Sequence, residues 1–334
     1  MFALERHSEV LADAYDAALF DLDGVIYIGR DAIPGVIDAI NHVDRKTRMN
    51  LVYVTNNASR SSKAVAQHLC ELGLRVLAAD VVTAAQAGAA LLATMIPRAS
   101  RVFVLGSRDL LREVEMVGLI GSQDPDEKYV ALIQGYWPDM PWRMLSQAAG
   151  VLHEGVPWVA TNMDLTIPTE WGRAPGNGSV VNMMANVVGR FPDAVAGKPE
   201  SPLMQQSIER ARSRRPLVVG DRLDTDILGA NNVGIDSVLV LSGVTTVNEL
   251  LMAPEELRPT YLAWDASCLV AEQRGVVVEG PSVHLNDWKI ENGRLMGSGD
   301  VLDAIRVSAV GVWREVMSYE QACIGLRNRG VNVG

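Results

Sequence analysis

Asp21 and Asp23, one residue apart and followed by Gly24, have the types and spacing to do chemistry. They close an apolar run, Ala17-Ala18-Leu19-Phe20. Such a run ending on a polar turn reads as a buried strand delivering its last side chains to a site. Two close carboxylates repel, and holding both ionised calls for a cation. Gly24 lets the chain turn, so the second Asp can offer its side chain or its carbonyl. The same residues also suit a solvated strand-end turn. The choice rests on the other strand ends.

Leu51-Val52-Tyr53-Val54 is a β-rich run that stops at Thr55-Asn56-Asn57, and Ser61 then fits the N-cap of a helix running to Leu72 and closed by Gly73. Ala194 to Pro199 brings Lys198 to a tight turn, with Ser201-Pro202 opening the next helix. Pro216-Leu217-Val218-Val219 closes on Gly220-Asp221-Arg222-Leu223-Asp224-Thr225-Asp226, Ile227 to Val233 reads as a short helix, and Asp236 to Gly243 as one more strand. Strands alternating with helices predict an α/β protein with a parallel sheet, whose strand ends share one edge. Carboxylate oxygens suit Mg²⁺, which keeps several waters and also takes a phosphate oxygen. A lysine, a hydroxyl and backbone amides suit the remaining phosphate oxygens. A carboxylate can then act as nucleophile toward phosphorus, with Asp21 as nucleophile and Asp23 as general acid and base. His7, His42, His68, His153 and His284 form no metal-binding pair, and there is no Gly-x-Ser-x-Gly elbow. Gly197-Lys198 runs into Pro199 rather than Ser or Thr, which disfavours a nucleotide kinase.

Asp21-x-Asp23-Gly24-Val25, Thr55-Asn56-Asn57, Gly197-Lys198-Pro199 and Gly220-Asp221-Arg222-x-x-Thr225-Asp226 resemble the four ordered motifs of the haloacid dehalogenase superfamily. The Thr-Asn-Asn and Gly-Lys-Pro forms, with a large insertion between them, are similar to its NagD-like class IIA with a C2-type cap. The resemblance implies a Rossmann-like core, Mg²⁺ dependence and an aspartyl-phosphate intermediate. It assigns Asp21 as nucleophile, Asp23 as acid/base, and Thr55, Asn56 and Lys198 to phosphate. Asp21, the Asp23 carbonyl and Asp221 would hold the metal, with Asp226 at it or just behind it. The expected domains are a core over 1–83 and 191–266, an α/β cap over 84–190, and a small α+β appendage over 267–334.

The segment Thr161 to Gly178 is rich in turn formers and reads as a long, functional loop. By resemblance it is the cap's specificity loop, with Ile167-Pro168 near the tip facing the active site and Trp171 and Arg173 further candidates for substrate contact. Relatives acting on pyridoxal phosphate tend to carry a histidine where Ile167 stands. That favours a small phosphate monoester, glycerol 3-phosphate before phosphoglycolate. Arg173 facing a substrate carboxylate would favour phosphoglycolate. Trp171 or Trp137 stacking on a ring would instead favour a nucleoside monophosphate or pyridoxal phosphate.

After Ser267 the chain is not explained by a phosphatase. Val276 to Val278 and Val283 to Leu285 read as strands and Leu302 to Met317 as a helix. It resembles a reduced acetyltransferase-like (GNAT) tail without the Gly-rich pyrophosphate stretch, so packing or homo-oligomerisation is its expected role. A regulatory binding protein acting through this tail is the non-enzymatic alternative.

Bulk properties fit. With 334 residues, 48% hydrophobic and 21% charged, the chain is long enough for about two domains and too apolar to be disordered. A net charge of -10 argues against nucleic acid or an anionic membrane as partner. Cys70, Cys268 and Cys323 are scattered without zinc or disulfide spacing, and no apolar run resembles a signal peptide or membrane span. A cytoplasmic enzyme is expected.

Overall fold

The apolar run at Ala17 becomes the strand it predicts. In a computed structural model, which describes residues 3–169 and 171–334, Ala17–Phe20 is buried throughout and pairs in parallel with Pro216–Gly220. Leu19 and Phe20 are almost fully buried, each contributing about 1.5–3 kcal/mol relative to exposure. The described chain divides into two units: residues up to Val52 with Leu72–Leu74 and Ala211–Gly334, and Tyr53–Glu71 with Arg75–Arg210.

In the first unit, parallel strands run in the order Tyr261–Ala263, Asp236–Val240, Pro216–Gly220, Ala17–Phe20. The start of Asn50–Thr55 follows, where the Asn50 N–H donates to the Asp16 carbonyl at 2.9 Å. Their buried, mostly apolar composition is that of a parallel sheet covered on both faces, a Rossmann-like α/β layer. Phe20 is level with Val219, so Asp21 and Asp221 leave adjacent strand ends. The helix expected over Ile227 to Val233 starts earlier: Leu223–Ile227 forms a wide, π-type turn that runs into Leu228–Asn232. Turns of this kind concentrate at functional sites.

The strand Ala17–Phe20 is anchored at its start by Asp16. Its carboxylate accepts the Ser213 hydroxyl and the backbone N–H groups of Arg214, at 2.9 Å, and Arg215, at 3.0 Å. Burial works to raise its pKa, but these hydrogen bonds outweigh burial and hold it below its ordinary value of 3.8. A carboxyl with a depressed folded-state pKa stabilises the fold above its unfolded pKa and loses that contribution as pH falls through the folded value. Asp16→Asn should therefore destabilise the protein at neutral pH and flatten the loss of stability below about pH 4, as read by denaturant midpoints across pH.

The C-terminal appendage belongs to this unit. Four antiparallel strands in sequence order, Val277–Glu279, Ser282–Leu285, Trp288–Glu291 and Arg294–Met296, pack against the helices Val301–Trp313 and Tyr319–Arg327. Trp288–Glu291 alternates buried and exposed, as one covered sheet face requires. The helix expected to reach Met317 stops at Trp313, and Glu315 follows with a positive φ of 58°. One hydrophobic cluster joins Val283, Ile290, Leu302, Ile305 and Leu326 of the appendage to Leu223, Ile227, Leu239 and Leu262 of the sheet layer. The appendage thus shares one core with the turn that carries Asp226.

In the second unit the end of Asn50–Thr55 pairs in parallel with Val81–Thr83. A separate five-stranded parallel sheet has the order Ala194–Val195, Trp158–Ala160, Ala131–Gln134, Arg101–Leu105, Ile120–Ser122. Side-chain alternation along Arg101–Leu105 sends Val102 and Val104 into one core and Phe103 and Leu105 into another, one on each face. Ser107 caps the helix Arg108–Met116 by accepting the Leu110 N–H at 3.3 Å.

Thr161 to Gly178 differs from its reading as an irregular loop. Thr166–Thr169 and Gly172–Pro175 form an antiparallel hairpin with Ile167 opposite Ala174. A ladder of two strands needs no apolar face, so the sequence shows only its turn formers. No described helix is long and apolar enough to cross a membrane.

Candidate active site

Parallel register brings the acidic groups of the first unit together. One carboxylate oxygen from each of Asp21, Asp221 and Asp226 lies within 4.8 Å of the other two. Asp221 and Asp226 are 1% and 0% exposed, and Asp21 is half-buried. Each buried carboxylate has a backbone donor: the Val244 N–H to Asp221 Oδ2 at 2.7 Å, and the Arg222 N–H to Asp226 Oδ2 at 3.2 Å. Three carboxylates this close with so little water repel strongly unless a cation joins them. An all-oxygen donor set of this kind suits a hard divalent ion such as Mg²⁺. The Asp23 carboxylate is exposed and lies outside the trio, while its backbone bridges to Tyr27. Gly24 follows with φ +82°, and a Cβ there would stand 2.5 Å from Asp221 Oδ2, so only glycine lets this turn close over the acids. The Ser242 hydroxyl donates to the Gly24 carbonyl at 2.7 Å. Neither Ser242 nor Val244 was singled out from sequence. Val244 acts through its backbone, which no side-chain pattern reveals.

The second unit assembles the other group. Lys198 is 3% exposed and Thr55 is 9% exposed. The Thr55 hydroxyl accepts the Asn57 N–H at 3.1 Å. Asn57 Oδ1 in turn accepts the backbone N–H and hydroxyl of Ser59, at 2.7 and 2.8 Å, which shapes the loop after the strand. The Asn56 carboxamide turns to the backbone of Lys198: Oδ1 accepts the Lys198 N–H at 2.8 Å, and Nδ2 donates to its carbonyl at 3.0 Å. Gly197 permits this approach, since a Cβ there would lie 2.7 Å from Asn56 Oδ1. Asn162 and Asp164, read from sequence only as part of the segment Thr161 to Gly178, also belong to this group. Asn162 Nδ2 donates to the Asn56 carbonyl at 2.6 Å, and Asn56 Nδ2 reaches Asp164 Oδ1 at 3.3 Å.

The expected specificity residues lie on the hairpin. Ile167 is half-buried, Arg173 is exposed, and Trp171 is 87% exposed beside the turn. Trp137 instead packs against the core that contains Phe103 and Trp158.

Comparison with known proteins places these motifs. A haloacid dehalogenase-like hydrolase family model matches residues 18–120, and a HAD-hydrolase-like model matches residues 195–267. A D-glycerol 3-phosphate phosphatase of Mycobacterium tuberculosis is 38% identical over 316 residues, covering 91% of this chain and 87% of that protein. The crystal structure of a glycerol phosphate phosphatase from Mycobacterium tuberculosis in complex with magnesium matches with a TM-score of 0.86 and 36% identity, over 96% of this chain and 99% of that one. A p-nitrophenyl phosphatase from Archaeoglobus fulgidus matches with a TM-score of 0.70 and 28% identity, over 77% of this chain and 98% of that one, so part of this chain has no counterpart there. The chain belongs to the haloacid dehalogenase-like hydrolases and stands among their phosphatases.

Proposed function

We propose that this protein hydrolyses glycerol 3-phosphate, in the cytoplasm, through an aspartyl-phosphate on Asp21. The observation that carries the substrate is the 38% identity to a D-glycerol 3-phosphate phosphatase over 91% of the chain. Ile167 supports it, because relatives acting on pyridoxal phosphate tend to carry a histidine at this position, and an apolar, half-buried side chain stands there instead. A net charge of -10 suits a small metabolite rather than nucleic acid or a membrane.

In the first half-reaction an Asp21 carboxylate oxygen attacks phosphorus, the P–O bond to glycerol breaks, and Asp23 gives a proton to the leaving oxygen. In the second, water attacks the phosphorus of the aspartyl-phosphate, Asp23 takes the proton, and Asp21 is regenerated as inorganic phosphate leaves. Asp23 is exposed and outside the carboxylate trio, which suits a group that must exchange protons with substrate and water. Asp21, Asp221 and Asp226 would hold Mg²⁺ together with the Asp23 carbonyl, and the ion would offset charge between nucleophile and phosphate. Thr55 and Lys198 would bind phosphate oxygens.

The test is phosphate release from glycerol 3-phosphate, phosphoglycolate, pyridoxal phosphate and UMP, with Mg²⁺ and with a chelator. The expected result is Mg²⁺-dependent turnover with the highest kcat/KM for glycerol 3-phosphate, and loss of turnover on chelation. Preference for phosphoglycolate would bring Arg173 into substrate binding, and preference for a ring-bearing ester would do the same for Trp171. Either would overturn the substrate assignment while keeping the mechanism.

A further inference from the structure

We propose that the Asn56 carboxamide is a positioning group that, with Asp164, ties the cap hairpin to Lys198, rather than a ligand of the phosphate. The inference rests on the assignment of Lys198 to phosphate binding. A carboxamide offers one acceptor oxygen and two N–H donors. Asn56 spends all of them inside the protein. Oδ1 takes the Lys198 N–H at 2.8 Å, and Nδ2 serves the Lys198 carbonyl at 3.0 Å and Asp164 Oδ1 at 3.3 Å. The side chain therefore brackets a single residue from both sides of its backbone and leaves no donor for a phosphate oxygen.

The bracket is itself held. The Asn56 carbonyl accepts Asn162 Nδ2 at 2.6 Å, the Asn162 carbonyl accepts Asn177 Nδ2 at 2.8 Å, and Asn162 Oδ1 accepts the Asp164 N–H at 3.1 Å. Asn162 and Asn177 are 3% and 2% exposed, so these bonds are made away from water, where breaking one leaves an unpaired polar group. Asp164 stands where the strand Trp158–Ala160 gives way to the hairpin, and its carbonyl accepts the Gly178 N–H at 2.9 Å where the hairpin returns. A shift at the hairpin root thus moves Asp164, then the Asn56 carboxamide, then the Lys198 backbone. Substrate seated against the hairpin would set the lysine through this chain, coupling recognition of the alcohol to capture of the phosphate.

The test is a double-mutant cycle on Asn56→Ala and Lys198→Met, read with p-nitrophenyl phosphate so that it stands apart from the glycerol assignment. A misplacement near 1 Å can cost about 100-fold, so Asn56→Ala should lower kcat by about 10–100-fold. In the Lys198→Met background the same change should cost less than about 2-fold, because its effect runs through the lysine. Asp164→Ala should lower kcat in the same direction and by less. Equal losses in both backgrounds would overturn the proposal, as would a rise in the inhibition constant of inorganic phosphate that is the same with and without Lys198. If Asn56→Ala does not fold, Asn56→Asp replaces it. That variant keeps the acceptor for the Lys198 N–H, loses both donors and sets a carboxylate against Asp164, so the same cycle applies. Absence of turnover of any monoester by the wild-type protein would instead count against the proposed function.

Discussion

Asp21→Asn should leave a folded protein that no longer turns over, with kcat lower by about 10⁴-fold or more. Removing a covalent nucleophile costs on this scale because nothing else supplies the bond it forms. The amide is isosteric with the carboxylate, and Asp21 is held through its backbone N–H to the Val219 carbonyl at 2.9 Å, which the substitution preserves. Single-turnover phosphate release and a denaturant midpoint measured on the same preparation check both halves. Turnover near the wild-type rate would remove Asp21 from the mechanism.

The largest effect on stability is expected at Arg306, in the appendage helix. Its side chain is 9% exposed and paired at 2.7 Å with Asp303, itself 7% exposed. Nη2 donates to the carbonyl of Leu262, in the strand at the edge of the sheet, and to Gln273 Oε1 at 3.2 Å. One guanidinium therefore fastens the appendage to the sheet layer. Arg306→Ala leaves the Asp303 carboxylate with Asn286 Nδ2 at 2.7 Å as its remaining partner, and strands a buried carbonyl. Breaking a buried pair from one side costs about 3–5 kcal/mol, whereas replacing both partners by apolar groups is often neutral. Arg306→Ala should lower the unfolding free energy by that amount, and Arg306→Met with Asp303→Leu should recover most of it. Leu223 and Ile227, flanking Asp226 in the wide turn, share the appendage's hydrophobic cluster. The single variant should therefore also need more Mg²⁺ for half-maximal activity. Unchanged stability in Arg306→Ala would show the appendage to be dispensable to this unit.

Much of the site is legible in the chain itself. Asp21-x-Asp23-Gly24, Thr55-Asn56-Asn57, Gly197-Lys198 and Gly220-Asp221 are each a local event, an apolar run stopped by polar residues and glycine, and strand chemistry is local enough to show in sequence. Gly24 is the clearest case: its position predicts a turn, and its φ of +82° beside Asp221 is that turn. The appendage was half legible. Val277–Glu279 and Ser282–Leu285 could be read, but Trp288–Glu291 and Arg294–Met296 are short and flanked by Asn-Gly and charges, and they are recognisable only once paired. The hairpin after Asp164 was hidden for the same reason, since two strands without a core carry no hydrophobic period.

What the sequence determined by itself is the set of reactive groups: carboxylates able to share a cation, and a lysine, placed at strand ends of an α/β sheet. What tertiary structure alone decided is who serves whom. Asn56 lies 142 positions from Lys198 in the chain, and Arg306 lies 44 from Leu262. No local pattern can show that one carboxamide brackets another residue's backbone, or that one guanidinium closes a sheet edge. Such partnerships are chosen by where folding leaves a buried donor or acceptor in need of a mate.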